Sequence, residues 1–299
     1  EWEGIEDLPY LADYGKQATD YATARLANET IDVVFDDNES TRDQYGRVLA
    51  YVYYDATGNG TRDTCYNEEI LTDGYARVYG SGLSRHDEFR GEEDAARTNG
   101  RAVWTASDPN NSTEIRNRAV DDLFLPVGAS VRTATGGVTD APVYAESTAT
   151  QTLDGGYSYS GDIPLVALDE SANAAVFGSP LVDESYESAE GYAVDTSGYE
   201  NFTFLTNVVD LLTDRTGDVL IDGGHGQFGA DFALSNEDAA YYQRYLEGQD
   251  IGFEQINEVT DANLSGGRAL IVTAPTAAYT QAETDALTNF AANGGAVVL

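Results

Sequence analysis

The chain of 299 residues carries 16 basic and 52 acidic residues, a formal net charge of −36. Lys16 is the only lysine, so every other basic residue is an arginine. In molar salt the Debye length falls to about 3 Å, which screens the self-repulsion of such a surface, while hydrated carboxylates hold water there. A hydrophobic content of 41% and 20 tyrosines exclude an acidic disordered protein. The composition predicts a halophilic, archaeal protein.

Cysteine, histidine and hydropathy exclude further classes of protein. Cys65 is the only cysteine, which excludes an intrachain disulfide and a cysteine-based metal site, and it is expected to be a small buried hydrophobe. His86 and His225 are the only histidines and lie far apart, which excludes a multi-histidine site. No apolar run reaches the roughly 18 residues of a membrane-spanning helix.

The ends of the chain and its glycosylation sequons suggest a longer parent protein and a cellular location. The chain begins at Glu1 without a methionine and ends at Leu299 within an apparent strand, so we expect a piece of a longer protein. Asn-x-Ser/Thr sequons are compatible with export. We therefore expect an extracellular or cell-surface location.

In chain order, the first 107 residues alternate helices with short strands. Periodicity predicts helices at residues 13–27, 65–74 and 85–100 and strands at residues 30–35, 47–54 and 75–79. Asn59-Gly60 is a tight-turn signal, and Gly74 and Gly100 are expected to stop helices. This order predicts an α+β domain at residues 1–107 and a linker at residues 108–114.

Residues 115–216 form a mixed strand-rich and helical region. It contains two strands of a predicted hairpin, at residues 162–169 and 174–180, and a helix at residues 199–214. Three interpretations stand: a domain of its own, a part of the α/β segment that follows, or the end of a preceding copy of that same fold.

From residue 217 strands and helices alternate. Strands are predicted at residues 218–222, 269–275 and 296–299, with helices at residues 235–249 and 280–295. Capping boxes mark both helix starts, Ser235 with Asp238 and Thr280 with Glu283. The alternation predicts a doubly wound parallel sheet, an incomplete α/β domain at residues 217–299.

Residues 43–53 carry the motif Asp-x-Tyr-Gly-Arg-x-Leu-Ala-Tyr-x-Tyr. A helix and a strand precede it, and a hairpin, the segment NEEILTDGYARV at residues 67–78, a charged helix and Trp104 follow it. In this order the elements resemble the C-terminal half of the staphylococcal-nuclease-like (thermonuclease) family, an OB-fold barrel with helices. The resemblance covers residues 10–106 and implies a truncated OB-fold, nuclease-like domain.

The resemblance implies roles for four residues. Arg47 would stabilise the pentacoordinate phosphorane of phosphodiester cleavage, Tyr45 and Leu49 would line the nucleotide pocket, and Tyr79 would contact base or phosphate. The physical argument for arginine is independent, because a planar guanidinium offers paired donors to two phosphate oxygens. A preorganised cation also stabilises the charge that develops on them. The alternative is a surface arginine paired with one of the many carboxylates.

The resemblance also implies groups that the sequence does not contain. The family uses an aspartate pair that binds Ca²⁺, a second arginine and the glutamate of an Asp-Thr-Pro-Glu segment, and none of these precedes Tyr10. Calcium ligands are therefore expected upstream of Glu1. Gln44 stands where the family often has a lysine. We expect this chain by itself to hold half an active site and to be inactive.

Two other segments carry partial site patterns. Residues 55–63 resemble a calcium loop, but Thr57 stands at position three and Tyr66 at position twelve, so a simple hairpin turn is favoured. The glycine-rich loop at residues 221–229 fits neither the dinucleotide motif nor the P-loop motif.

Residues 217–299 resemble the glutamine-amidotransferase-like (flavodoxin-like) domains. Enzymatic members need a cysteine nucleophile, which this segment lacks. His225 alone makes no triad and is predicted to be a turn residue. The segment is predicted to be a non-enzymatic binding or structural module.

Two functional hypotheses follow. In the first, the parent protein is a calcium-dependent nuclease that hydrolyses DNA or RNA, and its C-terminal domains assist attachment or recognition. In the second, it is a non-catalytic cell-surface binding or structural protein that keeps a nuclease-like barrel. The net charge does not separate them: nucleic-acid binders are normally basic, but molar salt already removes most of the counterion-release contribution.

Overall fold

The computed structural model describes residues 11–43, 46–78, 81–107, 119–125, 128–133, 140–150, 154–181, 198–227, 242–243, 245–246, 249 and 251–299. The chain divides into two compact units. The first contains Glu1–Asn111 and Ala239–Arg244, and the second contains Ser112–Asp238 and Tyr245–Leu299. The predicted linker at residues 108–114 lies outside the described residues.

The described part of the first unit combines helices with a three-stranded antiparallel sheet. Its elements are α1 (Ala12–Leu26), β1 (Asp32–Val34), β2 (Tyr51–Tyr54), β3 (Thr64–Cys65), α2 (Tyr66–Thr72) and α3 (His86–Thr98). Strand β2 is central and pairs antiparallel with β1 and β3. A 3₁₀ turn at Ala102–Thr105 follows α3 and buries Val103.

The core of the first unit lies between the sheet and helices α2 and α3. Its buried cluster consists of Tyr51, Cys65, Leu71, Val78 and Phe89. The prediction of a buried, unpaired Cys65 is therefore confirmed.

Gly74 follows α2 with a φ of +79°, as the predicted helix stop requires. A Cβ at this position would lie 2.5 Å from the carbonyl oxygen of Arg101. Glycine is needed here both for the left-handed backbone and for the close approach of another segment.

Two strand predictions in this unit are wrong: one strand is absent from the described residues, and the other is shorter than predicted. Residues 75–78 form no strand, because the backbone N–H of Val78 is taken by the buried carboxylate of Glu93 instead of a neighbouring strand. The strand predicted at residues 47–54 is shorter, since β2 begins at Tyr51 and Val48 makes only an isolated bridge with Arg42.

The second unit is built on a seven-stranded mixed sheet. Its described elements are β4 (Val143–Tyr144), β5 (Pro164–Asp169), β6 (Ala174–Phe177), α4 (Asn201–Leu212), β7 (Asp218–Asp222), β8 (Phe253–Ile256), α5 (Asp261–Leu264), β9 (Gly267–Ile271), α6 (Gln281–Ala292) and β10 (Ala296–Val298). The strand order is β4-β5-β6-β10-β9-β7-β8. Strands β6, β10, β9, β7 and β8 run parallel, whereas β4 and β5 are antiparallel to their neighbours.

The pairing of β6 with β10 overturns one interpretation of residues 115–216. The predicted hairpin is present as β5 and β6, but Ala174 on β6 lies opposite Val297 on β10. The hairpin therefore extends the same sheet as β7–β10 and is not the end of a preceding copy. More than a hundred residues separate the two strands, so no local pattern could show their pairing.

Helix α6 starts as predicted. The backbone N–H of Thr280 donates to Glu283 Oε2 (2.7 Å), and the N–H of Glu283 donates to Thr280 Oγ1 (3.3 Å), which completes the capping box. The other predicted box, Ser235 with Asp238, lies outside the described residues. Within the part of the chain that the structure describes, no helix is both long and apolar enough to span a membrane.

Candidate active site

Arg47 lies on a short hairpin whose described arms are residues 41–43 and 46–49. The bridge between Arg42 and Val48 joins its two arms. Gly46 has a φ of +80°, a conformation that glycine adopts without steric cost, and Arg47 follows directly. Gly46 and Arg47 therefore stand at the start of the second arm.

Asp43 holds Arg47 through both backbone and side chain. The N–H of Asp43 donates to the Arg47 carbonyl (3.0 Å), and the N–H of Arg47 donates to Asp43 Oδ1 (2.7 Å). The Arg47 Nε–H donates to Asp43 Oδ2. The surface ion pair that was the alternative for Arg47 is thus present, and it orients the guanidinium through its Nε edge.

Arg47 is more exposed than the arginines that fasten the unit together. Its side chain is 54% exposed, against 28% for Arg25 and 23% for Arg85. Arg25 binds Glu69 at 2.9 Å and lies over the Tyr21 ring at 3.3 Å. Arg25 and Arg85 bind carboxylates on helices α2 and α3, whereas Arg47 lies on a short arm outside any helix and exposes about half of its side chain.

The structure places two of the four predicted site residues. Arg47 and Leu49 lie two residues apart on the same arm, and Leu49 is partly buried, with its N–H donating to the Thr41 carbonyl (3.2 Å). Tyr45 and Tyr79 lie outside the described residues. The nucleotide pocket assigned to Tyr45, Leu49 and Tyr79 therefore stays a prediction.

Asp36 fastens the segment between β1 and the hairpin. Its carboxylate accepts hydrogen bonds from the Tyr51 hydroxyl (2.5 Å), the Ser84 N–H (2.8 Å) and hydroxyl (2.9 Å), and the Asn38 N–H (2.9 Å). Burial acts to raise the pKa of Asp36, but these bonds outweigh it and lower the pKa to about 2. Asp36 is thus a structural anion that ties this segment to the start of α3.

The favoured hairpin-turn interpretation of residues 55–63 is confirmed, because the segment joins the antiparallel strands β2 and β3. Asp55 accepts hydrogen bonds from the backbone N–H groups of Gly60 (2.7 Å), Asn59 (3.1 Å) and Thr57 (3.2 Å). These bonds, that of Gly60 first, lower the pKa of Asp55. Its carboxylate closes the turn and is not arranged around a cation.

The described residues contain no group of three or more histidine, cysteine, aspartate or glutamate side chains placed to hold a metal ion. The carboxylates nearest to Arg47 in sequence already serve other donors: Asp43 binds Arg47 itself, Glu39 accepts from the Gly82 N–H, and Asp55 accepts from backbone N–H groups of its own turn. These residues do not fit a calcium cage.

The second unit contains a polar cluster that the sequence did not reveal. His225, predicted to be a turn residue, is buried, with Nδ1 2.7 Å from Asp222 Oδ2 and Nε2 3.3 Å from Glu283 Oε1. The Asp222–His225 pair is local and therefore visible in principle as an aspartate three residues before a histidine. The contact with Glu283 joins distant segments and has no signal in the sequence.

Comparison with known proteins identifies the first unit. Residues 4–106 match the family described as "Staphylococcal nuclease homologue". The uncharacterized protein MJ1439 of Methanocaldococcus jannaschii is 39% identical over 103 residues, which are 34% of this chain and 48% of that protein. Endonuclease YncB of Bacillus subtilis is 31% identical over 94 residues, 31% of this chain and 42% of that protein.

The chain spans less than half the length of either relative. The match confirms a staphylococcal-nuclease-like domain at residues 4–106. A separate domain with a mixed α/β sheet follows it.

Proposed function

We propose that the protein to which this chain belongs is a calcium-dependent nuclease that hydrolyses phosphodiester bonds of DNA or RNA, with Arg47 as its catalytic arginine. The observation that carries this proposal is the geometry of Arg47. It is exposed, oriented by Asp43 and located in a domain that matches the nuclease family. A relative of this domain is named an endonuclease.

The chemistry assigned to Arg47 is electrostatic. Cleavage of a phosphodiester builds negative charge on the non-bridging oxygens, and a guanidinium can donate to two of them at once. Asp43 fixes the guanidinium before substrate arrives, so that less reorganisation is needed during the reaction. Tyr45, Leu49 and Tyr79 would line the nucleotide pocket beside it.

Calcium belongs to the proposal through the family alone. Because the described residues do not fit a calcium cage, we derive no catalytic step through the metal. Its ligands and the group that activates water would lie upstream of Glu1.

The exposed apolar side chains of the first unit support a barrel larger than the three described strands. Large apolar residues on β1, beside it and on the Arg47 hairpin are exposed, with Phe35 reaching 52%; they are Ile31, Val33, Val34, Phe35 and Val48. Val33 and Val34 are neighbours on β1 and point to opposite sides of the strand, so β1 is exposed on both sides within the described residues. Further strands of an OB-fold barrel would cover such side chains.

The remaining parts of the proposal concern context and the second unit. The excess of carboxylates and the near-absence of lysine support a halophilic, archaeal source, and the sequons support a cell-surface or extracellular location. The parallel strands β7–β10 support a doubly wound, flavodoxin-like or amidotransferase-like arrangement of residues 217–299, within a sheet that β4, β5 and β6 extend. We assign this domain to binding, in support of attachment or substrate recognition.

The test is cleavage of single-stranded DNA and of RNA by the full-length natural protein in molar salt, with calcium and then with chelator. We expect cleavage that requires calcium and falls at least about a hundredfold in Arg47→Ala. Arg62→Ala is the matched control, because Arg62 is also an arginine paired with an aspartate in this unit (2.8 Å to Asp32). It should retain the parent activity.

An inert full-length protein, or an Arg47→Ala variant as active as its parent, would overturn this proposal. The non-catalytic surface-protein hypothesis would then replace it. Equal losses of cleavage activity in Arg47→Ala and Arg62→Ala would show a general effect of removing positive charge from the unit. They would contradict a specific catalytic role for Arg47.

A further inference from the structure

Arg42 lies on the first arm of the hairpin that carries Arg47. Its backbone makes the bridge with Val48, the residue that follows Arg47 on the second arm. The side chains of Arg42 and Arg47 are both exposed. The hairpin therefore presents two cations to solvent, within a chain whose net charge is −36.

The guanidinium of Arg42 reaches the second arm. Its Nη1–H donates to the carbonyl oxygen of Gly46, the residue directly before Arg47. That carbonyl and the N–H of Arg47 belong to the same planar peptide unit. The hydrogen bond therefore places the positive charge of Arg42 beside the backbone of Arg47.

Both polar groups of the Gly46 backbone are bonded, which defines the position of this turn. The Gly46 N–H donates to the Asp43 carbonyl (3.0 Å), and the Gly46 carbonyl accepts from Arg42. The next N–H, that of Arg47, donates to Asp43 Oδ1 (2.7 Å). Because the acceptor of Arg42 is fixed in this way, its guanidinium has a defined place before any ligand arrives.

Arg42 differs in its partners from other arginines of the first unit. Arg25, Arg62 and Arg85 each bind a carboxylate, at distances between 2.6 and 2.9 Å. Among the described residues Arg42 makes no ion pair, and its one side-chain hydrogen bond is to a backbone carbonyl. The chain contains 52 acidic residues, so carboxylate partners are abundant. In the described part of the chain the charge of Arg42 is nevertheless not neutralised.

The remaining donors of Arg42 suit an oxyanion. A guanidinium has several N–H donors in a planar fork, and the Gly46 carbonyl uses one of them. The others match the geometry of phosphate oxygens, which arginine binds through paired hydrogen bonds. A role in holding the turn alone would need one neutral donor and no charge.

We propose that Arg42 binds the phosphate next to the one held by Arg47 on a nucleic-acid strand. The inference rests on the function proposed above, which places the reacting phosphate at Arg47. A strand carries one charge at each nucleotide, so a strand with one phosphate at Arg47 brings a neighbouring phosphate to the same hairpin. Arg42 contacts this neighbour. It is a substrate-binding residue, and the chemical step is left to Arg47.

This assignment specifies the kind of substrate. A strand with a phosphate next to the reacting one gains the Arg42 contact, whereas a dinucleoside monophosphate has its single phosphate at Arg47 and gains nothing. Binding energy from a phosphate that does not react lowers KM without raising kcat. The hairpin should therefore favour the internal phosphodiesters of a longer strand.

The test is strand binding by the full-length natural protein, measured by fluorescence anisotropy in chelator over a series of KCl concentrations. The probe is a fluorescein-labelled oligothymidylate with phosphorothioate linkages, which keep the charge of each phosphate and resist cleavage. Arg42→Gln can still donate an N–H to Gly46 but has no charge. We expect it to weaken binding about fivefold. The slope of log K against log[KCl] should become shallower by about 0.7, the contribution of one contact to a single strand.

Arg62→Gln is the matched control, because the charge of Arg62 is already paired with Asp32 (2.8 Å). It should bind the strand as the natural sequence does. Arg42→Lys restores the charge and should restore the salt slope, which a role confined to the turn would not require. Thymidylyl-thymidine, which has a single phosphate, should compete equally well for the natural sequence and for Arg42→Gln.

An unchanged salt slope in Arg42→Gln would overturn the proposal. Equal losses in Arg42→Gln and Arg62→Gln would do the same, and so would a natural protein that does not bind the strand. Failure of the proposed function has a different signature: the natural protein binds the strand through Arg42 but cuts neither DNA nor RNA, or still cuts after Arg47→Ala. The two results come from separate measurements, binding for Arg42 and cleavage for Arg47.

Discussion

Arg47 in the first unit and His225 in the second are each bonded to an aspartate a few residues earlier in the chain, yet their surroundings are opposite. The Arg47 side chain is 54% exposed and its aspartate shapes a surface hairpin. The His225 side chain is 6% exposed, and its aspartate also binds Gln227 and Tyr279. Asp43 is itself only 12% exposed, so the pair is solvated at the cation alone. A pair with a solvated cation contributes less to stability than a buried network, which is costly to break.

The largest effect is expected from removing the centre of the buried network. Asp222→Ala leaves the donors of His225, Gln227 and Tyr279 buried without an acceptor, and we expect a loss of about 3–5 kcal/mol in the free energy of unfolding of the second unit. Denaturant unfolding followed by far-UV circular dichroism measures it. Both tryptophans, Trp2 and Trp104, belong to the first unit, so the unfolding transition that their fluorescence reports should be the same in Asp222→Ala and in the natural sequence. A loss below about 1 kcal/mol would contradict the claim that the hydrogen bonds of Asp222 stabilise the second unit.

The buried histidine of the first unit gives the next effect, as a dependence on pH. Burial, with a smaller contribution from Arg90, lowers the pKa of His86 to about 4 from an ordinary value of 6.5. The unfolded chain therefore binds a proton more readily, and stability is lost as pH falls from 6.5 to 4. Over that interval the loss should be about 3 kcal/mol. Tryptophan-monitored unfolding of the natural sequence and His86→Gln measures it, and a parallel decline in both would contradict the assignment.

Asp43→Ala sharpens the contrast with Asp222→Ala. Because the Asp43–Arg47 pair is largely solvated on the Arg47 side, its loss should change the free energy of unfolding by no more than about 1 kcal/mol. The loss of orientation should nevertheless lower cleavage by the full-length protein about tenfold. Steady-state kinetics and unfolding of the same variant check both. A large loss of stability with unchanged cleavage would reverse the roles that we assign to the two regions.

The smallest effect is expected at the start of α6. Thr280→Ala removes the side-chain acceptor of the capping box but keeps the backbone donor to Glu283, and should cost about 1 kcal/mol. Unfolding of the second unit measures this cost. Thr284→Ala, one turn later, is the control, because its hydroxyl only donates to the Thr280 carbonyl within the helix (2.9 Å). Equal costs for the two variants would show that the cap adds nothing beyond helix propensity.

The sequence identified the Arg47 hairpin because its information is local. A turn glycine, an arginine after it and an aspartate before it lie within five residues. The helices and strands around them follow one another in the same order as in the nuclease-like family. The same locality made the α6 capping box and the Gly74 stop predictable. The strand predicted at residues 75–79 is wrong over its described part, residues 75–78, because a distant group, Glu93, takes the N–H of Val78.

What the sequence by itself determined is therefore the nuclease-like order of elements in the first unit, the position of Arg47 and the alternation of strands and helices after residue 217. Only the tertiary structure decided that β5 and β6 extend the sheet of the second unit, and that Asp222, His225 and Glu283 meet at its edge. The physical reason is the range of the interactions. Turns, caps and helix stops are decided by neighbours in the chain, whereas strand order and buried charge networks are decided by segments that the fold brings together from far apart.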